Sequence, residues 1–230
     1  MARFFKTGPG EYGEGDRFIG VNVPTQRAIA RRFRDLPFAE TDRLLQSSIH
    51  EERLTALLIL VGQFRLRQAD DRQRRRIFRL YMKRLRFVNN WDLVDTSAGP
   101  IVGGWLGCAA GSAERTRRNG ADRLGQLARS KSVWSRRVAM IATSHFIAQR
   151  DHADAIRMAT LLVDDEHDLI QKAVGWMLRE VGKRCPGNQG PANDPLRQFL
   201  AKHAATMPRT ALRYAIERFP AAERKKWMSM

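Results

Sequence analysis

Five alanines set the terms on which this chain folds. Ala56, Ala98, Ala139, Ala173 and Ala211 each lie in a stretch carrying apolar residues at helical spacing, and their successive separations are 42, 41, 34 and 38 residues. A spacing of that size with two helices per unit marks stacked helical repeats of HEAT-like type. One unit cannot bury its apolar face alone, and an alanine lets neighbouring helices approach closely. Alanine is common and some spacing can always be found, so the weight rests on the apolar company each one keeps. No stretch alternates with period two for long enough to argue a sheet. The expected class is all-α, a single domain over residues 1–230 built as a right-handed solenoid of HEAT-like repeats.

Along the chain, residues 1–24 form an irregular, Gly-rich segment, with Gly8-Pro9-Gly10 and Gly13-Glu14-Gly15 supplying too many breakers for a helix. Thr25 can cap a helix that begins just after Val23-Pro24. Helices are expected over 25–34, 38–48, 49–67 and 70–86, the third apolar on most faces and therefore packed on both sides. Residues 107–120 and 185–195 read as loops between units. No apolar run approaches the roughly 18 residues that span a bilayer, and the N-terminus lacks the apolar core of a secretory signal, so a cytoplasmic location is expected. Cys108 and Cys185 lie far apart without CxxC or histidine company, which argues for neither a metal site nor a disulfide.

Charge narrows the partner. Forty-one Lys+Arg against 24 Asp+Glu give a formal net charge of +17. Such an excess implies a polyanion, and the dominance of Arg suits planar, bidentate contact with phosphate. Nucleic acid fits best. An anionic membrane fits less well, since no basic amphipathic terminal helix stands apart from the fold.

The repeat register gathers a candidate site. Arg53, Asp95 and Arg136 sit three residues before the first three alanines, and Trp176 and Tyr214 three after the last two. Equivalent helices of a solenoid line its concave face, so that face should be basic and carry Arg53, Arg136, Arg137, Lys172, Arg179 and Arg213 around Asp95, Trp91 and Trp176. Trp91 and Asp95 are four apart and share a helix face. In so basic a chain, Asp92 and Asp95 are either partners for nearby arginines or carboxylates held reactive in a positive cleft. His50-Glu51-Glu52 resembles an acid-base or metal cluster, yet acidic residues at a helix start also complement its dipole. His145, His152, His167 and His203 have no partner at ligand spacing. Trp105, Trp134 and Trp227 read as packing residues. Arg72–Arg76 and Arg115–Arg118 are either solvated faces or phosphate contacts.

Four ordered stretches carry a family resemblance: Asn90-Trp91-Asp92-Leu93-Val94-Asp95, Trp134-Ser135-Arg136-Arg137-Val138-Ala139, Asp168 to Glu180 through Trp176, and Met207-Pro208-Arg209-Thr210-Ala211-Leu212-Arg213-Tyr214. They resemble the motifs of the AlkD family of DNA alkylation repair enzymes, and the similarity runs from about Phe4 to Phe219. The resemblance implies a solenoid that holds duplex DNA in its concave face and releases N3- and N7-alkylated purines as a monofunctional glycosylase, without a cofactor or metal and as a monomer. It makes Asp95 the catalytic carboxylate, packs Trp91 and Trp176 on the lesion's deoxyribose, and has Arg137 hold the adjacent backbone. Arg53, Arg136, Lys172, Arg179, Arg209 and Arg213 are then DNA contacts. The family is thought to engage the sugar and leave the base in or near the stack. The short Gly-rich N-terminus departs from the pattern, standing where the family has its first helices. Relatives that bind DNA without catalysis supply the alternative: a HEAT-repeat protein recognising damaged or branched DNA.

The residue types suit that chemistry. An N3- or N7-alkylated purine is already cationic and leaves without strong acid catalysis. As the bond breaks, C1′ gains oxocarbenium character, which a nearby carboxylate stabilises while aligning water. Indole faces add about 0.5–2 kcal/mol each when desolvated.

Overall fold

The computed structural model describes residues 2–107, 122–185 and 194–230. The chain divides into two compact units, Met1–Trp105 and Leu106–Met230. Helices account for the described architecture, and the one β feature among those residues is an isolated parallel bridge between Arg17 and Ile49.

In the first unit a 3-10 turn, Ala2–Phe5, precedes α1 (Val23–Arg32), α2 (Phe38–Leu45), α3 (His50–Arg65), α4 (Asp71–Lys83) and α5 (Trp91–Ser97). The Asn22 carboxamide accepts the Thr25 N–H at 2.9 Å, and Pro24 needs no donor in the first turn, so α1 starts slightly ahead of expectation. The 16-residue α3 packs against α1, α2 and α5, which explains why its sequence is apolar on most faces. After Ser97 the helix widens into a π segment, Ala98–Gly103, and continues as α6 (Gly104–Gly107). Pro100 lies in that segment and has no N–H to give its preceding turn; the wide turn accommodates it without ending the helix.

The second unit contains α7 (Arg123–Ala128), α8 (Val133–Ala142), α9 (Ser144–Ala148), α10 (Ala153–Leu162), α11 (Asp168–Arg184), α12 (Pro195–His203), α13 (Arg209–Ala215) and α14 (Ala221–Met228). Here α8 packs on α11 and α11 on α13, while α10 backs α11 from the other layer. This is the stacking expected of helical repeats. All five register alanines, Ala56, Ala98, Ala139, Ala173 and Ala211, are 0% exposed. The loop expected over 107–120, with Arg115, Arg117, Arg118 and Cys108, lies almost wholly outside the described residues, as does most of 185–195. Cys185 is a free thiol whose pKa burial raises.

Helix α13 comes up against the backbone of α11 at Gly175. A Cβ there would lie 2.4 Å from the Ala211 carbonyl oxygen and 2.5 Å from the Tyr214 Cβ, so only glycine lets α13 sit this tightly on α11.

The N-terminal segment is irregular, as its breakers predict, but firmly tied to the first unit. The His50 N–H donates to the Arg17 carbonyl at 2.8 Å, and the buried Glu51 carboxylate accepts the backbone N–H groups of Ile19 and Gly20. Gly13 closes the turn beneath Phe5, donating to the Lys6 carbonyl, and a Cβ on it would meet the Phe5 oxygen at 2.3 Å. Phe5 is buried and stacks on Phe18 and Trp91, with centroids 4.9 and 5.5 Å apart.

Below those rings lies a polar cluster. His50 Nδ1 sits 2.9 Å from Asp16 Oδ2, and its Nε2 sits 2.8 Å from Asp92 Oδ2. Asp16 also accepts from Arg53 at 2.5 Å and from the Asn90 carboxamide at 3.1 Å. Burial lowers the His50 pKa, but the hydrogen bonds and charges of Asp16 and Asp92 outweigh it and hold the imidazole above its usual value. Asp16 is pushed up by burial, yet His50, Arg53 and Asn90 bring it below the ordinary carboxylate range. The cluster thus binds the Gly-rich segment, α3 and the start of α5 into one unit.

Two outcomes are expected. Gly175→Ala should lower the unfolding free energy by about 1–3 kcal/mol, as overpacking does, read from the urea midpoint; an unchanged midpoint would contradict the close approach. His50 is raised in the fold, so its contribution is complete below pH 6.5 and fades as pH climbs through the folded pKa, whereas the Asp16 contribution fades as pH falls below 3.8. The melting temperature should therefore decline on the alkaline side, and His50→Gln should be less stable near pH 6, by up to about 3 kcal/mol, without that decline.

Candidate functional site

Asn90 starts the helix on which the site is built. Its side-chain oxygen accepts the Trp91 N–H at 2.8 Å while its nitrogen donates to Asp16, so the first turn of α5 is fixed from the N-terminal segment. The two acidic residues of α5 then part company. Asp92 is tied to His50 and accepts the Leu93 N–H at 2.9 Å, which makes it structural. Asp95, one turn after Trp91 and half-buried like it, brings its charge within electrostatic reach of Tyr81 on α4. Burial raises the pKa of the fully buried Tyr81 phenol far above its usual value, and the Asp95 charge raises it further, against a hydrogen bond from Ser97 at 3.1 Å. Tyr81 is therefore a neutral neighbour to a carboxylate.

Trp91 is walled by rings. Phe5 stacks on it, and Phe4, 68% exposed, meets it edge-on at 5.7 Å. The face that α5 presents thus combines a carboxylate, an indole and an exposed phenyl ring. Sequence reasoning missed Phe4, Phe5 and Asp16, because nothing in a Gly-rich stretch signals which of its residues dock. It also missed Tyr81, which reads as one more apolar position of α4.

In the second unit, α11 carries Lys172, Trp176 and Arg179, spaced along one side, and Trp176 follows Gly175 at the contact with α13. Arg137 on α8 is 5% exposed and donates to the Leu169 carbonyl at 2.5 Å, linking α8 to the first turn of α11. Arg136 grips Asp165 through two nitrogens and caps the Ser130 and Lys131 carbonyls. Arg179 pairs with Glu217 and lies near Glu180, and Lys172 pairs with Asp168 at 2.6 Å. Arg209 and Arg213, one turn apart on α13, are exposed beside Tyr214 and form no ion pair with a described residue.

Arg53 requires a correction. It is 3% exposed, with its guanidinium on Asp16 and the Ser47 carbonyl, so it does not reach a phosphate at the surface. At this position of the repeat the neighbouring space is filled by Asp16 of the N-terminal segment. Trp105 and Trp227 are buried packing residues, as expected; Trp105 stacks on Phe78 with Arg75 over its ring. His50 is held between two carboxylates, and among the described residues no group of three His, Cys, Asp or Glu side chains could hold a metal ion. No helix there is long and apolar enough to cross a membrane.

The fold has a counterpart in a solved structure described as a predicted DNA alkylation repair enzyme from Enterococcus faecalis. The two align with a TM-score of 0.66 at 15% identity, over 96% of this chain and 93% of that one. At that identity the likeness concerns the fold. No curated protein is similar enough to count as a match. The sequence itself matches the family model for DNA alkylation repair enzymes over residues 1–219, nearly its whole length, and the chain belongs to that DNA alkylation repair enzyme family.

Proposed function

We propose that the protein is a monofunctional DNA glycosylase that hydrolyses the N-glycosidic bond of N3- and N7-alkylated purines in duplex DNA. The observation that carries the reading is the pairing on α5 of a half-buried Asp95 with Trp91 one turn before it, in a chain of net charge +17 that belongs to a DNA alkylation repair family. Asp95 stabilises the positive charge developing at C1′ and orients the water whose oxygen bonds to that carbon. The purine departs as a neutral base, since its alkyl group already made it cationic, and no cofactor or metal is called for. Stabilisation of this kind supplies about 3–4 kcal/mol, a factor of about 10²–10³. Trp91 packs on the sugar and offers its negative ring face to it, and Trp176 is a further aromatic contact to the DNA.

Arg209 and Arg213 are the exposed cations best able to take phosphate, with Lys172 and Arg179 able to exchange a carboxylate partner for one. Arg136 and Arg137 act by fixing α8 against α11 and Asp165, so their part in DNA binding is to position. The protein works as a monomer in the cytoplasm, on the nucleoid when bound to DNA. The burial of Arg137 is the observation that favours the alternative, a DNA-binding protein without catalysis.

Mutation separates the two readings. Asp95→Asn should cut release of 7-methylguanine from methylated duplex by about 10²-fold or more while leaving duplex affinity within a few-fold. Equal release by the wild type and the variant would remove Asp95 from the mechanism. A wild type that binds the duplex yet releases no base would favour the binding-only alternative.

A further inference from the structure

A groove runs between α1 and the second half of α3, about 330 Å³ in volume, and its rim is made of Arg27, Arg31, Arg34 and Arg65. No carboxylate lines it. Small residues open it. Ala30 forms part of the floor, and a Cβ built on Gly62 would have nothing within 4 Å, so the α3 backbone is bare toward the cleft. All four arginines are exposed, and Arg27, Arg31 and Arg65 form no ion pair with a described residue, while Arg34 reaches only its exposed neighbour Asp35 at 3.4 Å. The α1 helix has no acidic residue at all.

Helix dipoles account for part of this pattern. Arg31 lies in the last turn of α1 and Arg65 in the last turn of α3, where cations are favoured. The dipole does not account for Arg27 in the middle of α1, nor for the opening at Ala30 and Gly62. The two helix ends contribute about half a negative charge each, against four guanidinium charges. The groove is therefore strongly positive. Its volume admits one phosphate with its sugar but not a double helix, and guanidinium forks match phosphate oxygens in pairs.

The geometry points to this groove as a second anchor for the phosphodiester backbone of DNA, separate from the cations of α11 and α13; the identity of the polyanion rests on the reading of the protein as a DNA enzyme. Gly62 follows His50 by twelve residues on α3, about 18 Å along the helix. His50 touches Asp92 beside Trp91. A backbone seated in the groove is thus held at a point of α3 well removed from the end that meets α5 and Trp91. The anchor takes any sequence and any lesion, because it reads phosphate alone.

The test is the affinity of the full chain for undamaged duplex between 50 and 200 mM salt. Arg27→Ala/Arg31→Ala/Arg65→Ala should flatten the salt slope by about 2 to 3, whereas a charge-matched variant, Arg218→Ala/Arg224→Ala/Lys225→Ala, should leave it nearly unchanged. Gly62→Leu keeps every charge and suits a helix interior, yet fills the cleft; its duplex affinity should fall by about tenfold or more at an equal or higher melting temperature. Equal slopes for the two triple variants, or wild-type affinity in Gly62→Leu, would overturn the assignment. Phosphatidylserine vesicles bound as tightly as duplex, and released by the same groove variants, would overturn its commitment to DNA. Undamaged duplex is the probe, so a wild type that binds it but releases no alkylated base would sink the glycosylase reading and leave the groove standing.

Discussion

Close approach of successive inner helices is the constraint on which the structure depends. Each helix pair leaves an apolar stripe, and that stripe is covered only if the next pair stacks on it at short range. Five alanines with no exposed surface, and Gly175 where even a methyl group would collide, make that range possible. The candidate functional side chains follow from the same packing. Asp95 lies three residues before one register alanine and Trp176 three after another, so each is carried to its place by a contact that has nothing to do with chemistry.

That regularity is why so much was legible in the sequence. A period of 34 to 42 residues survives in the alanines because the helix contacts demand small side chains, and the long apolar α3 announces a helix covered by neighbours on several sides. Where the repeat breaks down, pattern reading fails. Arg53 obeys the register yet is buried, since the chain fills the space beside it with Asp16 of the N-terminal segment. Docking of an irregular segment is decided by long-range contacts such as Asp16 to His50 and Glu51 to Gly20, and no local periodicity encodes those. Asp92 and Asp95 look alike in the sequence. Only the neighbour across the helix boundary, His50 for one and Tyr81 for the other, tells a structural carboxylate from a candidate reactive one.

The arginines divide on the same principle. Arg53 and Arg136 are bound to buried or half-buried carboxylates, where removing either partner would strand a charge. Arg27, Arg31, Arg65, Arg209 and Arg213 stand exposed without such partners. Net charge therefore overstates the cations available to a ligand, and composition cannot say which ones they are. The candidate catalytic face shows the converse: its acidic residue is half-buried in a strongly positive protein, and the buried Tyr81 on which its charge acts stays neutral.

The widened turn at Ala98–Gly103 has a consequence for how this region tolerates change in length. A π turn takes in one residue more than an α turn, so faces drawn on a wheel before and after it are offset by about 100°. Trp105, which follows the wide turn, stacks on Phe78. Removing one residue other than Pro100 from 98–103 would turn that face by about 100° and leave Pro100 in an ordinary α turn, where its ring meets the carbonyl four residues before it. Single-residue deletions here should thus cost the core its packing and the helix its relief at the proline.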